Sequence, residues 1–219
     1  DRSPSRGLGD VYKRQDKGEN WTTCELDKIY TADYYYVKFF DSDNGVIVCG
    51  YAKSNDTNES SRIYSTSNGG ESWDIVGSGP ATNIIKGVVY VSSDVGFFCY
   101  DYVEGMDSNL YKTDDGGKTF AKVMLEEQEL DSSAANPQGQ ETETKTDSGK
   151  NGADSSEQLR WGDVYKEALT PVVDSTGIIT IYLTQGKNAV YNDGKTAAKY
   201  QSSEKGSTWK YIGQVEIKD

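Results

Sequence analysis

The chain has 219 residues, a net charge of −12 and no histidine. Without residues 1–15 the net charge is −14, which argues against nucleic acid and anionic membrane surfaces as partners, since both attract positive charge. No apolar run approaches the ~20 residues of a membrane span. Runs rich in Val, Ile, Tyr and Phe alternate with clusters of Gly, Asn, Asp and Ser, a pattern that predicts short strands joined by turns.

Residues 1–15, DRSPSRGLGDVYKRQ, resemble the conceptual translation of a sequencing-adapter remnant. The stretch carries four of the 23 basic residues and no apolar run of signal-peptide length. It also ends inside a repeated motif, because Arg14 and Gln15 occupy its Ser/Thr-x positions. We therefore exclude residues 1–15 from the predicted fold and expect native sequence upstream to be missing. A natural basic arm with a degenerate motif is the alternative.

A motif of eight residues, Ser/Thr-x-Asp-x-Gly-x-x-Trp/Phe, recurs four times, with Asn68 or Glu204 in place of Asp in two copies and Arg14 in place of Ser or Thr in another. Its short polar side chains hydrogen-bond to nearby backbone, its glycine supplies a positive φ, and its aromatic residue packs beneath the turn. The motif therefore predicts a hairpin turn with a structural role and no chemical one. The candidate residues of the four copies are Asp16, Gly18 and Trp21; Thr66, Asn68, Gly70 and Trp73; Thr113, Asp115, Gly117 and Phe120; and Ser202, Glu204, Gly206 and Trp209.

The motifs recur at a spacing that indicates a repeat. Their closing aromatic residues are separated by 52, 47 and 89 residues. A second landmark, a glycine before an alternating apolar run, occurs at Gly45, Gly96 and Gly177. The spacing predicts a repeat of about 50 residues, with about 33 residues inserted before the last motif.

The inserted segment, at about residues 126–158, differs from the rest of the chain in composition. From Glu126 to Glu157 it has no aromatic residue, and nine acidic residues face two lysines. Such a segment buries too little apolar area to offset its ordering entropy, so we predict a disordered loop. An acidic partner-binding or calcium-attracting segment is the functional alternative.

Metal ligands are scarce in this sequence. Cys49 and Cys99 fall in equivalent predicted strands and are interpreted as small buried hydrophobes, and with Cys24 they make an odd count that argues against a disulfide scaffold. There is no Cys-x-x-Cys pair and no histidine, so we predict no metal site and no cofactor. The segment DSDNG, at Asp41 to Gly45, is similar to a calcium loop, but its spacing does not fit an EF-hand and we interpret it as a plain turn.

A tyrosine-rich strand is predicted within YTADYYYVKFF, residues 30–40. Its side chains have two interpretations. They stack on sugars or contact a protein partner, or they reflect only β-propensity and half-burial in a sheet.

The four motifs resemble the Asp boxes of bacterial neuraminidase repeats, and YKTDDGGKTF, residues 111–120, carries that pattern almost verbatim. The segments before the alternating runs resemble those of sialidase-like and photosystem II assembly-factor-like β-propellers. The resemblance covers residues 16–219 apart from the insert, and implies one four-stranded antiparallel blade per repeat with the box between its third and fourth strands. The predicted fold is therefore all-β, a partial, N-terminally truncated β-propeller of about three and a half blades that form an open arc.

The resemblance says little about function, because propellers host many activities. A sialidase would require three arginines that grip the substrate carboxylate, and outside residues 1–15 the chain has only Arg62 and Arg160. We therefore predict a non-catalytic interaction module of a secreted or cell-envelope bacterial protein, which binds a protein or polysaccharide partner. A truncated fragment of a sialidase-like glycoside hydrolase is the alternative, with catalytic residues in missing blades.

Overall fold

A computed structural model describes residues 10–13, 22–26, 32–51, 60–130, 160–186 and 191–217. Nearly all of its regular structure is β. Besides one helical turn, α1 (Trp161–Val164), and a 3₁₀ segment (Tyr191–Gly194), the elements are β1 (Asp10–Lys13), β2 (Thr22–Glu25), β3 (Tyr34–Phe39), β4 (Gly45–Gly50), β5 (Ser61–Thr66), β6 (Asp74–Ser78), β7 (Ile85–Tyr90), β8 (Gly96–Tyr100), β9 (Leu110–Thr113), β10 (Ala121–Lys122), β11 (Glu167–Ala168), β12 (Val172–Val173), β13 (Ile179–Thr184), β14 (Thr196–Ser202) and β15 (Lys210–Glu216).

Three antiparallel sheets follow one another along the chain. The first sheet contains β3–β6 and the second β7–β10, each with its strands in chain order. The third has five strands, because β11 and β12 both pair with β13 ahead of β14 and β15. Pro171 lies between β11 and β12 and has no N–H to donate to a ladder, which accounts for the interruption. The sheets confirm the predicted all-β class and agree with a partial propeller; the described strands form no closed barrel.

A fourth, two-stranded sheet, β1–β2, precedes these three. Its register matches the hairpins β5–β6, β9–β10 and β14–β15. In every one of the four, eight residues of the sequence lie between the two residues of the innermost pair, which is Lys13↔Thr22, Ser65↔Asp74, Lys112↔Ala121 or Gln201↔Lys210. Because those eight residues are the motif, we call these segments the box turns. By this register β1 and β2 correspond to the third and fourth strands of a blade.

One strand, β1, lies within residues 1–15, the stretch excluded from the predicted fold. Asp10–Lys13 pairs with Thr22–Glu25, whereas residues 1–9, 14 and 15 lie outside the described residues. The physical reason is local sequence. Val-Tyr-Lys at positions 11–13 has the same strand-forming pattern as Leu-Tyr-Lys at positions 110–112, which begins β9.

The glycine landmark holds for the first two sheets and is wrong for the third. Gly45 pairs with Thr66 and Gly96 pairs with Thr113, each opposite the first residue of a box turn. In the third sheet the residue opposite Ser202 is Ile179. Gly177 lies two residues earlier, with φ +85°, in the turn that precedes β13.

The core lies between successive sheets. Val46, Val48 and Ile63 of the first sheet pack against a face of the second sheet that includes Val88 and Phe98. The opposite face of the second sheet packs on the third through a cluster that contains Phe97, Cys99, Leu110, Ala168, Ile179 and Ile181. The outer strands of the third sheet are covered by a separate aromatic cluster that contains Trp161, Tyr165, Tyr191 and Tyr200.

Most of the acidic insert lies outside the described residues, which stop at Leu130 and resume at Arg160. Its first five residues form no strand, yet they contact the third sheet. The hydroxyl of Tyr200 donates to the carbonyl oxygen of Glu126 at 2.7 Å, and Leu130 packs against the cluster around Trp161. These two contacts hold the first residues of the insert, which have no regular structure, against the third sheet.

Cys49 and Cys99 are both buried free thiols, and burial raises the pKa of each to about 12. They lie in the equivalent strands β4 and β8 but on opposite faces. Cys49 lies four residues after Gly45, whereas Cys99 lies three after Gly96. Because successive side chains of a strand point to opposite faces, Cys49 faces away from the second sheet and Cys99 faces the third. No helix in the described part of the chain is long and apolar enough to span a membrane.

Candidate functional site

The box turn at residues 113–120 is held by two side chains. The Thr113 hydroxyl donates to Asp115 Oδ1 at 2.8 Å and accepts from the Gly117 N–H at 2.8 Å. Asp115 Oδ1 also accepts from the N–H groups of Lys118 and Thr119, both at 2.9 Å, and Asp115 Oδ2 accepts from the Thr119 hydroxyl at 2.6 Å. These hydrogen bonds to the charged form lower the pKa of Asp115. Both carboxylate oxygens of Asp115 therefore accept hydrogen bonds from within their own turn.

The other described box turns repeat this arrangement. The Thr66 hydroxyl accepts from the Gly70 N–H at 2.8 Å, and Asn68 Oδ1 accepts from the Ser72 N–H at 3.0 Å. In the last box turn Ser202 Oγ accepts from the Gly206 N–H at 3.0 Å. Asp16, Gly18 and Trp21 of the first motif lie outside the described residues.

The closing aromatic residues of these turns, Trp73, Phe120 and Trp209, are half-buried. Each meets another ring edge-on. The centroid distances are 5.8 Å for Phe39–Trp73, 4.9 Å for Phe98–Phe120 and 6.0 Å for Phe97–Trp209. Each turn lies at the end of its sheet, so one side of the ring stays open to solvent while the other packs on the sheet.

The DSDNG segment forms a turn stabilised from within. Asp41 Oδ1 accepts from the N–H groups of Asp43 and Asn44 at 2.8 and 2.7 Å, and the Asn44 amide donates to both Asp41 oxygens. The Asp41 oxygens are thus occupied by the turn itself. In the described ranges no group of three or more Cys, Asp or Glu side chains is arranged to hold a metal ion.

The tyrosine-rich strand β3 has a role that neither interpretation of its sequence included. The hydroxyls of Tyr34 and Tyr36 accept hydrogen bonds from the backbone N–H groups of Val88 and Tyr90, each at 3.0 Å. Val88 and Tyr90 belong to β7, the edge strand of the second sheet. The two tyrosines therefore supply acceptors for N–H groups that a sheet edge leaves unpaired.

A buried asparagine joins the second and third sheets. Asn109 Nδ2 donates to the carbonyl oxygens of Tyr100 and Ala168 at 2.8 and 2.9 Å, and Asn109 Oδ1 accepts from the Ala168 N–H at 2.9 Å. The side-chain amide of Asn109 thus donates to and accepts from the backbone of β11, as the backbone of a neighbouring strand would. Nothing in the spacing of the repeat marks this position.

A cleft of about 480 Å³ opens between the second and third sheets, beside this asparagine. We call it the inter-sheet cleft. Its floor contains buried residues, namely Ser108, Asn109, Val123, Trp161, Tyr165 and Ala168, and its rim contains Tyr102, Glu104, Met106, Asp107, Glu127, Arg160, Asp163 and Lys166. The Trp161 and Tyr165 rings lie with centroids 4.6 Å apart, so a fixed aromatic pair supports one side.

The rim carries four carboxylates and two cationic groups. Lys166 Nζ lies 2.8 Å from Glu104 Oε1, and Lys122, outside the rim, lies 2.8 Å from Asp107 Oδ2. Glu127 and Asp163 are also exposed on the rim. The cleft is therefore an open, acidic site on an ordered floor.

The two arginines considered for a sialidase lie in different parts of the fold. Arg62 belongs to β5 of the first sheet, whereas Arg160 precedes α1 and lies on the rim of the inter-sheet cleft. The structure does not bring them together. Burial also raises the pKa of the Tyr100 and Tyr200 hydroxyls to about 12, so neither is activated as a nucleophile at neutral pH.

No protein-family model and no curated protein matches the chain. Among solved structures, the chain is similar to one described as the crystal structure of Niastella koreensis GH74 enzyme, with 17% sequence identity and a TM-score of 0.45. The similarity covers 93% of this chain and 26% of that one, so the chain spans about a quarter of the enzyme's length.

Proposed function

We propose that this chain is a non-catalytic interaction module built on a partial β-propeller, and that the inter-sheet cleft binds a neutral or cationic polysaccharide. The observation that carries the proposal is the cleft itself. Its volume of about 480 Å³ lies within the roughly 300–1,000 Å³ typical of ligand sites. Because the proposed ligand is a polysaccharide, we propose that the chain acts outside the cell or in the cell envelope.

The charge of the rim selects among polysaccharides. Exposed carboxylates such as Glu127 and Asp163 accept strong hydrogen bonds from sugar hydroxyl or ammonium groups. An anionic polysaccharide is repelled by the excess of carboxylates over cations at the rim and by the acidic chain as a whole.

The floor supports binding because it is already ordered. Asn109 ties the two sheets together beneath the cleft, and Trp161 and Tyr165 pack in the aromatic cluster of the third sheet. A rigid floor lowers the conformational entropy that binding costs. These supports favour a preformed binding site over one assembled by the ligand.

The test is isothermal titration of the full chain with three soluble polysaccharides: a neutral β-glucan, chitosan oligomers and polygalacturonate. We expect saturable binding of the neutral or the cationic polymer and none of the anionic one. Glu127→Ala and Asp163→Ala should each weaken that binding about five- to tenfold. Glu216→Ala, which removes an exposed carboxylate of β15 away from the cleft, is the matched control.

Two results would change the assignment. Release of reducing ends from a bound polysaccharide, lost in Glu127→Gln or Asp163→Asn, would replace the binding module with the glycoside-hydrolase alternative. Absence of binding to all three polymers would contradict a polysaccharide ligand and leave a protein partner as the interpretation.

A further inference from the structure

An apolar stripe is exposed on the first sheet. Tyr35, Val37 and Phe39 alternate along β3 on the face turned away from the second sheet, and they are 38%, 48% and 40% exposed. We call these three residues the open stripe. Such a row of large apolar side chains on an inner strand marks a surface that another element covers.

The second sheet shows what covers this position in a complete blade interface. Gly45 and Gly96 occupy the same register opposite the box turns, so Val37 corresponds to Val88 and Phe39 to Tyr90. Val88 and Tyr90 are only 3% and 1% exposed, because β3 and β4 of the preceding sheet pack on them. An equivalent pair of inner strands would bury the open stripe.

The part of the same face that lies on β4 and β5 is already covered. Ile47, Cys49 and Tyr64 are fully buried, in a cluster with Leu26, the residue that follows β2. The register of β1–β2 is that of the third and fourth strands of a blade. The cover that contains Leu26 thus ends before β3, whose side chains at Tyr35, Val37 and Phe39 stay exposed.

We propose that the open stripe is the docking face for an antiparallel pair of β-strands, the inner half of the blade whose outer half is β1–β2. The strands belong to a segment that precedes β1 in the polypeptide, because all three described sheets add their strands in chain order. The inference is independent of the inter-sheet cleft, which lies two blade interfaces away.

The hydrogen-bonding groups of the stripe define the chemistry of its occupant. The N–H groups of Val88 and Tyr90 donate to Tyr34 and Tyr36 hydroxyls of the preceding sheet. In the matching register of β3, the N–H groups of Val37 and Phe39 point to the same edge. The occupant therefore presents apolar side chains to the stripe and side-chain acceptors, such as tyrosine hydroxyls, to these two N–H groups.

The outward face of the third sheet differs from the open stripe in one cross-strand row. On the outward face of the third sheet, Thr180, Gln201 and Lys210 lie in one cross-strand row, and Gln201 Nε2 donates to Thr180 Oγ1 at 3.1 Å. Val172 extends this row and is 58% exposed. This row is otherwise polar, so Val172, an exposed valine outside the open stripe, provides a matched control for Val37.

The test uses a synthetic peptide of residues 34–50, with Cys49 replaced by Ser, as the probe, since this segment performs the same packing one blade later. Fluorescence anisotropy of the labelled peptide, titrated with the full chain, should show saturable binding. Val37→Lys should weaken that binding at least about tenfold, whereas Val172→Lys should leave it unchanged. A peptide that also carries Tyr34→Phe and Tyr36→Phe should bind about three- to tenfold more weakly.

Binding that is absent, or equal for the wild-type chain, Val37→Lys and a scrambled peptide, overturns the proposal. Circular dichroism of Val37→Lys establishes that the variant is folded, and Val37→Thr gives a second, milder change at the same position. Polysaccharide binding measured on the same preparations should be unaffected by either variant, which separates this inference from the proposed function.

Discussion

The hydroxyl of Tyr36 accepts a hydrogen bond from the backbone N–H of Tyr90 at 3.0 Å, and so joins the edge of the second sheet to a side chain of the first. Tyr90 is buried, so its N–H has no access to water in place of this acceptor. We expect Tyr36→Phe to lower the free energy of unfolding by about 1–2 kcal/mol, because it leaves a buried donor unsatisfied. Urea unfolding followed by tryptophan fluorescence measures the loss.

The matched control for Tyr36→Phe is Tyr182→Phe, at a half-buried position of β13. This change should alter the free energy of unfolding by less than about 0.5 kcal/mol. Equal losses in the two variants would contradict the edge-capping role of Tyr36.

Asn109 provides a second connection between sheets, and its loss should be more costly. Asn109→Ala removes three buried hydrogen bonds, to the Ala168 N–H and to the Tyr100 and Ala168 carbonyl oxygens, and leaves the Ala168 carbonyl oxygen with the Cys99 thiol as a donor. We expect a loss of about 3 kcal/mol in unfolding free energy, since each unsatisfied buried group costs roughly 1–3 kcal/mol. Asn83→Ala, which removes a hydrogen bond to the Asp101 carbonyl oxygen and a weaker one to the Met106 sulfur, should cost about 1 kcal/mol.

The repeat was predictable from the sequence because its turns depend on local chemistry. A short polar residue, a residue with positive φ and an aromatic anchor specify the turn within eight residues, and all four hairpins share one register. The strand count, the order of the sheets and the short first blade follow from that repetition.

The contacts between blades were not predictable in the same way. Tyr36 and Asn109 act on backbone groups 54 and 59 residues away, and neither position recurs in the other repeats. The same holds for the inter-sheet cleft, which joins loops after β8 and β10 to the segment around α1. Gly177 failed as a landmark because a glycine in a turn and a glycine at a strand start look alike in sequence.

The box turns themselves differ at one position that offers a stabilising change. The residue before the box glycine is Gly69 or Gly116 in two turns, with φ of +68° and +79°, but Lys205 with φ of +52° in the last. Holding a non-glycine residue in this left-handed region costs about 1 kcal/mol or more. That strain is somewhat larger than the roughly 0.5–1 kcal/mol of backbone entropy that a glycine loses on folding. Lys205→Gly should therefore raise the free energy of unfolding by about 0.5 kcal/mol, measured by thermal unfolding.

Lys210→Gly is the control for Lys205→Gly. It makes the same chemical change at the start of β15, where the backbone is extended, and should destabilise the chain. Destabilisation by Lys205→Gly would mean that the lysine side chain contributes more than its backbone strain costs.

The aromatic anchor Trp73 can be tested by two substitutions. Its ring is half-buried against Phe39, so Trp73→Ala should cost about 2–3 kcal/mol, less than the roughly 3–5 kcal/mol of a fully buried aromatic residue. Its indole N–H is buried with no hydrogen-bond partner among the described residues. Trp73→Phe, which matches Phe120 in the next box turn, should therefore cost less than about 1 kcal/mol in a urea-unfolding experiment. A larger loss in Trp73→Phe than in Trp73→Ala would refute the anchor role.

Asp115 gives the chain a defined dependence of stability on pH. Hydrogen bonds from Thr119 and neighbouring groups lower its pKa in the folded state below the ~3.9 of an unfolded aspartate. A lowered pKa means that the folded state binds the proton less tightly, so this stabilisation is complete above the unfolded pKa and is lost as the pH falls toward the folded pKa.

Asp115→Asn keeps the side-chain shape, and Asn68 shows that an amide fits a box turn. We expect the wild-type chain to exceed Asp115→Asn in unfolding free energy at about pH 7, and the difference to shrink steadily below about pH 4. Urea unfolding across that range measures it, with Asp114→Asn, beside it in the same turn and paired with Lys112, as the control for removing one negative charge. A difference between wild type and Asp115→Asn that stays constant with pH would show that the carboxylate charge contributes nothing to the turn.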